Sequence, residues 1–264
     1  MLLAVDCGNT NIVFALYDGE TQRSNWRIST DPKRSADEYL VWLAQLMALK
    51  SIEVGEIAEM IIASVVPEVQ PKLINLAARG FSLVPQVVGD PNIDLGIDIR
   101  IDRPDQAGAD RLVNAVAARD FYDLPAIILD FGTATTFDLV GKNGAYEGGI
   151  IAPGVNLSLE ALFLAAARLP RLAVQPWAAD MPVLGKDTVS AMHSGIFWGY
   201  VSMVEGLISR LRRDHGADLP AIATGGLAPL FAEHVSAISI VDQDLTLKGL
   251  VQIHARNKAK FKQD

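Results

Sequence analysis

The feature that most narrows the possible folds is a pattern that occurs twice. Leu3-Ala4-Val5-Asp6-Cys7-Gly8-Asn9-Thr10 near the start and Ile127-Ile128-Leu129-Asp130-Phe131-Gly132-Thr133-Ala134 near the middle are both apolar runs that end in Asp-x-Gly-[Asn/Thr]. Each leads into a second strand-like stretch, Ile12 to Tyr17 and Thr135 to Val140, and then into turn residues, Asp18-Gly19 and Gly141-Lys142-Asn143-Gly144. Apolar runs bounded by Gly, Asn and Asp predict β-hairpins, and here the bends carry carboxylates.

After each hairpin the pattern alternates between helix and strand. Ser35-Ala36-Asp37-Glu38 is a capping box for a helix whose apolar face takes in Leu40, Leu43, Met47 and Val41. Ile57 to Val66 reads as a buried strand, Pro71 to Arg79 as a helix and Leu83 to Val88 as a strand. In the second half Val189 to Arg213 reads as a long helix, Ala221 to Ala223 as a strand that runs into Thr224-Gly225-Gly226, and Ile238 to Val241 as a last strand before a C-terminal helix. The expectation is an α/β chain of two duplicated lobes facing each other across a cleft, 1–121 and 122–264, with no Pro/Ser-rich linker between them.

Composition closes several alternatives. At 264 residues, half of them hydrophobic, the chain can bury a substantial core. A formal net charge of −8 argues against a surface that tracks nucleic-acid phosphates. Cys7 is the single cysteine, so neither an intrachain disulfide nor a cysteine zinc cage can form, which fits a reducing cytoplasm. The first apolar residues are too few for a secretory leader, and no apolar run is long enough to suggest a membrane span. Walker, dinucleotide-binding, serine-hydrolase and zinc-protease motifs are missing, and the four histidines lack ligand spacing.

The residue types at the bends suit phosphate chemistry. In Asp6-Cys7-Gly8-Asn9-Thr10-Asn11 glycine admits a phosphate close to the backbone, the amides and the Asn and Thr side chains donate hydrogen bonds, and the carboxylate can hold magnesium directly or through water. A plain turn accounts for the same residues. The second loop, with Asp130, Gly132 and Thr133, repeats the chemistry, and a triphosphate needs donors and metal ligands from both sides. Thr135 is read as an ordinary strand residue. Gly108-Ala109-Asp110-Arg111 opens a helix. Its Asp is either a dipole partner or, beside ATP, the group that takes a hydroxyl proton, with Arg111 balancing phosphoryl charge. Gly225 and Gly226 can admit adenine or ribose or form a tight turn, the Gly148 to Gly154 strand is core or subunit contact, and Thr188 is a helix cap or a substrate contact.

Taken in this order, from Asp6 to Gly226, these segments resemble the type III pantothenate kinases. The resemblance implies the fold of the acetate and sugar kinase, heat-shock ATPase and actin superfamily, with two ribonuclease-H-like lobes, each a mixed sheet with flanking helices. It implies ATP-dependent phosphorylation of pantothenate. Asp6, Cys7, Gly8, Asn9, Thr10, Asn11, Ile12 and Val13 would form the first phosphate loop, with Asp6 the magnesium anchor. Gly132, Thr133, Gly225 and Gly226 would also contact ATP. Gly108, Ala109, Asp110, Arg111 and Thr188 would contact pantothenate, with Asp110 and Arg111 catalytic and Asp110 the proton acceptor. Asp130 would hold potassium or ammonium. A cytoplasmic homodimer with its substrate pocket at the dimer interface is implied as well. Many relatives place a tyrosine shortly upstream of the Gly-Ala-Asp-Arg tetrad; this chain has none between Asn92 and Ala107, and that contact is not carried over. The competing readings are another acid or sugar kinase or a phosphate-chain hydrolase of the same superfamily, and a non-catalytic regulator that keeps the nucleotide fold.

Overall fold

β1 (Leu2–Cys7) is apolar on both faces because both are covered. Leu3, Val5 and Cys7 join one core and Leu2 and Ala4 another, so Asp6 lies on the second face at the strand's end. The strand pairs antiparallel with β2 (Asn11–Asp18), which pairs antiparallel with β3 (Thr21–Ser29). On its other edge it pairs parallel with β4 (Glu59–Ser64), and β4 with the short β5 (Gln86–Val87). The sheet order is β3-β2-β1-β4-β5.

Parallel neighbours require crossovers over a face of the sheet, and α1 (Ala36–Ala48) and α2 (Gln70–Phe81) provide them. Tyr39, Leu43, Met47, Leu73 and Leu76 are buried there against Phe14 and Ile62. The capping box is present: Ser35 Oγ accepts the Glu38 N–H at 3.3 Å, and the Glu38 carboxylate accepts the Ser35 N–H at 2.7 Å. Val41 departs from the sequence reading, being 58% exposed. The buried stripe runs through Tyr39, Leu43 and Met47 at four-residue steps, and a position two residues off that stripe faces the far side of the helix.

The computed structural model describes residues 1–166, 168–216 and 218–258. Its contacts divide it into one unit of Met1–Phe121 plus the segment that begins at Asp244, and a second of Tyr122–Gln243. The reason for the return is α7 (Leu245–Asn257). Leu247, Leu250, Val251 and Ile253 fill the second face of the first sheet beside Val113 and Val116 of α3 (Ala109–Phe121).

The second unit repeats the strand order. β6 (Ala126–Phe131) pairs antiparallel with β7 (Ala134–Val140) and parallel with β9 (Ala221–Thr224). β8 (Tyr146–Pro153) and β10 (Ile240–Val241) complete a sheet of order β10-β9-β6-β7-β8. Over one face, Val155 of α4 (Val155–Ala165), Phe197 and Val204 of α5 (Thr188–His215) and Phe231 of α6 (Ala228–Ala232) pack on Ile127, Leu129 and Phe131. Two units with the same strand order, a three-stranded meander followed by parallel strands with flanking helices, form the duplicated ribonuclease-H-like fold of actin-like ATPases. The outermost strands β5 and β10 are shorter than their apolar runs, because only Gln86–Val87 and Ile240–Val241, towards the end of each run, pair with a neighbouring strand.

Candidate functional site

The first bend closes tightly. The Gly8 N–H donates to Asn11 O at 3.0 Å, and Thr30 fastens the loop from outside, its hydroxyl donating to Gly8 O at 2.6 Å and its N–H to Thr10 O at 3.0 Å. Asn9 and Thr10 are exposed, whereas Cys7 and Ile12 are core residues, so these two offer a ligand only their main chain. Burial pushes the Cys7 thiol above its usual value, only partly offset by a hydrogen bond with Ser64, which keeps it protonated and unreactive at neutral pH.

Asp110 lies in the first turn of α3, the helix that packs on the same sheet face to which Asp6 belongs. The first unit therefore brings both carboxylates to one side of its sheet. Asp110 Oδ1 accepts the Arg111 N–H at 2.8 Å, at the positive end of the helix dipole. A Cβ on Gly108 would stand 2.5 Å from Asp110 Oδ1, so this glycine is what lets the carboxylate fold back over the helix start. Arg111 is half-buried beside it.

In the second unit Asp130, next to last in β6, has Thr136 as its β7 partner and Thr224 as its β9 partner. Gly225, at φ +91°, passes so near that a Cβ there would lie 2.6 Å from Asp130 Oδ1. The Gly132 N–H donates to Ala134 O at 3.1 Å, and the Gly154 N–H donates to Thr133 O at 3.1 Å. Tyr200 of α5 donates to the Pro153 carbonyl and lies 3.1 Å from the Ser158 hydroxyl, tying the end of β8 to the helix layer. Gly132 and Thr133 are exposed, and Thr135 is buried, as a strand residue should be. The fold thus gathers Asp130, Gly132, Thr133, Gly154 and Gly225 in one place.

Thr188 does not cap α5. Asp187 does, its carboxylate accepting the Ser190 N–H at 3.0 Å, because the extended backbone of a cap belongs to the residue before the helix. Thr188, the first helical residue, lines an open groove of about 590 Å³ with Leu162, Leu169, Met192 and Ile196. Among the described residues no three His, Cys, Asp or Glu side chains come together as a ready metal cage.

Two participants escape sequence reasoning. Thr30 follows a strand with no apolar signature, and Gly154, the N-cap of α4, ends a stretch that reads as core or subunit contact; only the three-dimensional path of the chain brings them to the loops.

The family model described as type III pantothenate kinase matches residues 2–210. Over 257 residues the chain is 56% identical to the type III pantothenate kinase of Paramagnetospirillum magneticum, with 97% of this chain and 98% of that one covered. It is also 56% identical, over 258 residues, to the protein of the same name from Rhodospirillum rubrum, with coverages of 98% and 99%. Among solved structures it is similar to a Campylobacter jejuni protein named for the Baf family of transcriptional activators, at a TM-score of 0.62 and 19% identity over 97% of this chain and 99% of that one. It is similar as well to the inorganic polyphosphate/ATP-glucomannokinase of Arthrobacter, at a TM-score of 0.51 and 13% identity over 98% of each chain. At these identities the structural likeness speaks to fold alone.

Proposed function

Because the chain belongs to the type III pantothenate kinase family, we infer that it transfers the γ-phosphoryl group of ATP to the primary hydroxyl of pantothenate. The product is 4′-phosphopantothenate, and the reaction is the first step of coenzyme A biosynthesis. The observation that carries this is the near full-length identity to kinases of that name, joined to the presence of Asp6, Asp110 and Asp130 at strand and helix ends.

In the reaction the pantothenate oxygen attacks the γ-phosphorus in line, the new O–P bond forms, the bond to the β,γ-bridging oxygen breaks and ADP departs. Asp110 takes the hydroxyl proton. Little basicity is needed for this, because a loose transition state transfers its proton late. Arg111 offsets charge on the phosphoryl oxygens. Gly108, Ala109 and Thr188 contact pantothenate, and the Asp6 to Val13 segment, Gly132, Thr133, Gly225 and Gly226 contact ATP. Most of the rate then comes from positioning.

The residues present fit the implied cations. Magnesium takes one or two carboxylates and completes its shell with phosphates and water, which Asp6 at a strand end can satisfy. Asp130 presents its oxygen into a space that a Cβ at position 225 would fill, and is the residue assigned to potassium or ammonium. When bound, these ions neutralise triphosphate charge.

The same reading assigns a cytoplasmic homodimer. Ile151, Leu157, Leu164 and Leu184 of the second unit are each at least half exposed, large apolar side chains of the kind that partner subunits cover. Among the described residues no helix is long and apolar enough to cross a membrane. The test is an assay of purified protein with pantothenate, ATP and magnesium, with and without potassium. Pantothenate-dependent release of ADP is expected; ADP release indifferent to pantothenate would refute the assignment.

A further inference from the structure

Asp138 is a fully buried carboxylate on β7 that the proposed reaction leaves without a task. Tyr146, itself buried, donates its hydroxyl to Asp138 Oδ1 at 2.8 Å, and Thr136 donates its hydroxyl to Asp138 Oδ2 at 3.2 Å. A threonine hydroxyl has one proton and two lone pairs. With that proton committed to Asp138, what Thr136 Oγ1 presents elsewhere is lone pairs.

Thr136 is the cross-strand partner of Asp130. Directly opposed residues project from the same face of a sheet with Cβ atoms about 4.5–5.5 Å apart. Asp138 is two residues along from Thr136 on that face, opposite Ile128. The Asp130 carboxylate is thus flanked by an oxygen that only accepts and, beyond it, by a second buried carboxylate. An acceptor oxygen beside a carboxylate is repelled by it and repels a phosphate oxygen; a cation shared by the two satisfies both.

We propose that Thr136 is a ligand of the monovalent cation held by Asp130, and that Asp138 is the positioning residue that makes it one by fixing the direction of its hydroxyl proton. The inference rests on the reading of Asp130 as the cation's carboxylate. It adds a neutral oxygen ligand and accounts for an acidic side chain buried behind it.

The test uses the full chain and two readouts. One is the rise in unfolding temperature of the substrate-free protein in KCl against an equal concentration of tetramethylammonium chloride. The other is the half-saturating potassium concentration for turnover. Thr136→Val keeps the branched shape but removes the oxygen, and should raise the half-saturating potassium at least about tenfold while flattening the thermal response. Thr136→Ser should stay near the parent protein, and Asp138→Asn should shift both readouts in the direction of the valine variant. If valine perturbs the fold by circular dichroism, Thr136→Ala is read in its place. A parent-like potassium response in the Thr136→Val protein, with Asp130→Asn unresponsive, overturns the role of Thr136 and leaves that of Asp130 standing. A parent protein indifferent to potassium overturns both.

Discussion

Gly249 in α7 offers the sharpest test of how the first unit holds its carboxylates. A Cβ at this position would lie 2.7 Å from Val113 Cγ1 and closer still to the Val113 carbonyl oxygen, where ordinary contact begins near 3.4 Å. Gly249→Ala therefore forces the two helices apart by at least about 0.7 Å along a seam filled by Val113, Val116, Leu250 and Ile253. In an unobstructed helix the same substitution stabilises by about 1 kcal/mol. Overpacking of a dense core costs about 1–3 kcal/mol and more where the obstacle is backbone, so the net effect should be a loss of about 1–2 kcal/mol. That corresponds to an unfolding temperature lower by roughly 2–8 °C. Gly206→Ala in α5, where the new methyl meets only the tip of the Arg210 side chain, is the matched control and should be neutral or stabilising. Val113 sits one turn beyond Asp110, so turnover should fall with stability in the α7 variant and not in the control. Urea unfolding and initial rates measure both. A Gly249→Ala protein as stable as its Gly206→Ala counterpart would refute the reasoning.

Asp110→Asn should leave the fold and ATP affinity intact and lower kcat by about 10²–10⁴-fold, checked by calorimetric nucleotide binding beside turnover; near-normal kcat removes Asp110 as proton acceptor. Stability should decline on acidification in two stages. Burial holds the His254 imidazole below its usual value, so the unfolded chain takes up that proton first and stability is lost as pH falls through about 6.5. Burial pushes Glu59 up, but hydrogen bonds from Lys258 and His254 more than offset it; with its carboxyl below the ordinary range, its contribution is lost at lower pH, as pH falls through that depressed value. Urea unfolding across pH should show the upper stage shrink in His254→Leu, and an unchanged profile would count against the buried imidazole. Light scattering should find the parent protein as the proposed dimer and the variant with Leu164 and Leu184 replaced by Asp as a monomer, whereas a dimeric variant would move the interface elsewhere.

The central strands are legible in sequence for a physical reason: covered on two faces, β1 and β6 must be apolar throughout until the chain reaches Asp6 and Asp130. The α1 start is equally legible, because its cap is a local hydrogen-bond exchange between Ser35 and Glu38. β3 is not, since Thr21–Ser29 alternates between exposed and half-buried positions with few large apolar residues. Thr30 grips Gly8 and Thr10 through a strand pairing that no local pattern encodes. The nearness of Gly225 to Asp130 likewise follows from β9 joining β6 in parallel, a long-range choice, although the glycines themselves stand out. Asp138 reads as an unremarkable polar residue of an alternating strand until Tyr146 and Thr136 are seen to converge on it.

The route of the chain also constrains the order of its birth. Since Leu247, Leu250, Val251 and Ile253 close the second face of the opening sheet, that sheet emerges from the ribosome with a wall missing and waits for residues translated after the whole of the second unit. The early half is therefore not a self-sufficient folding module. A message cut short after the later half would yield a protein damaged at its beginning rather than at its end.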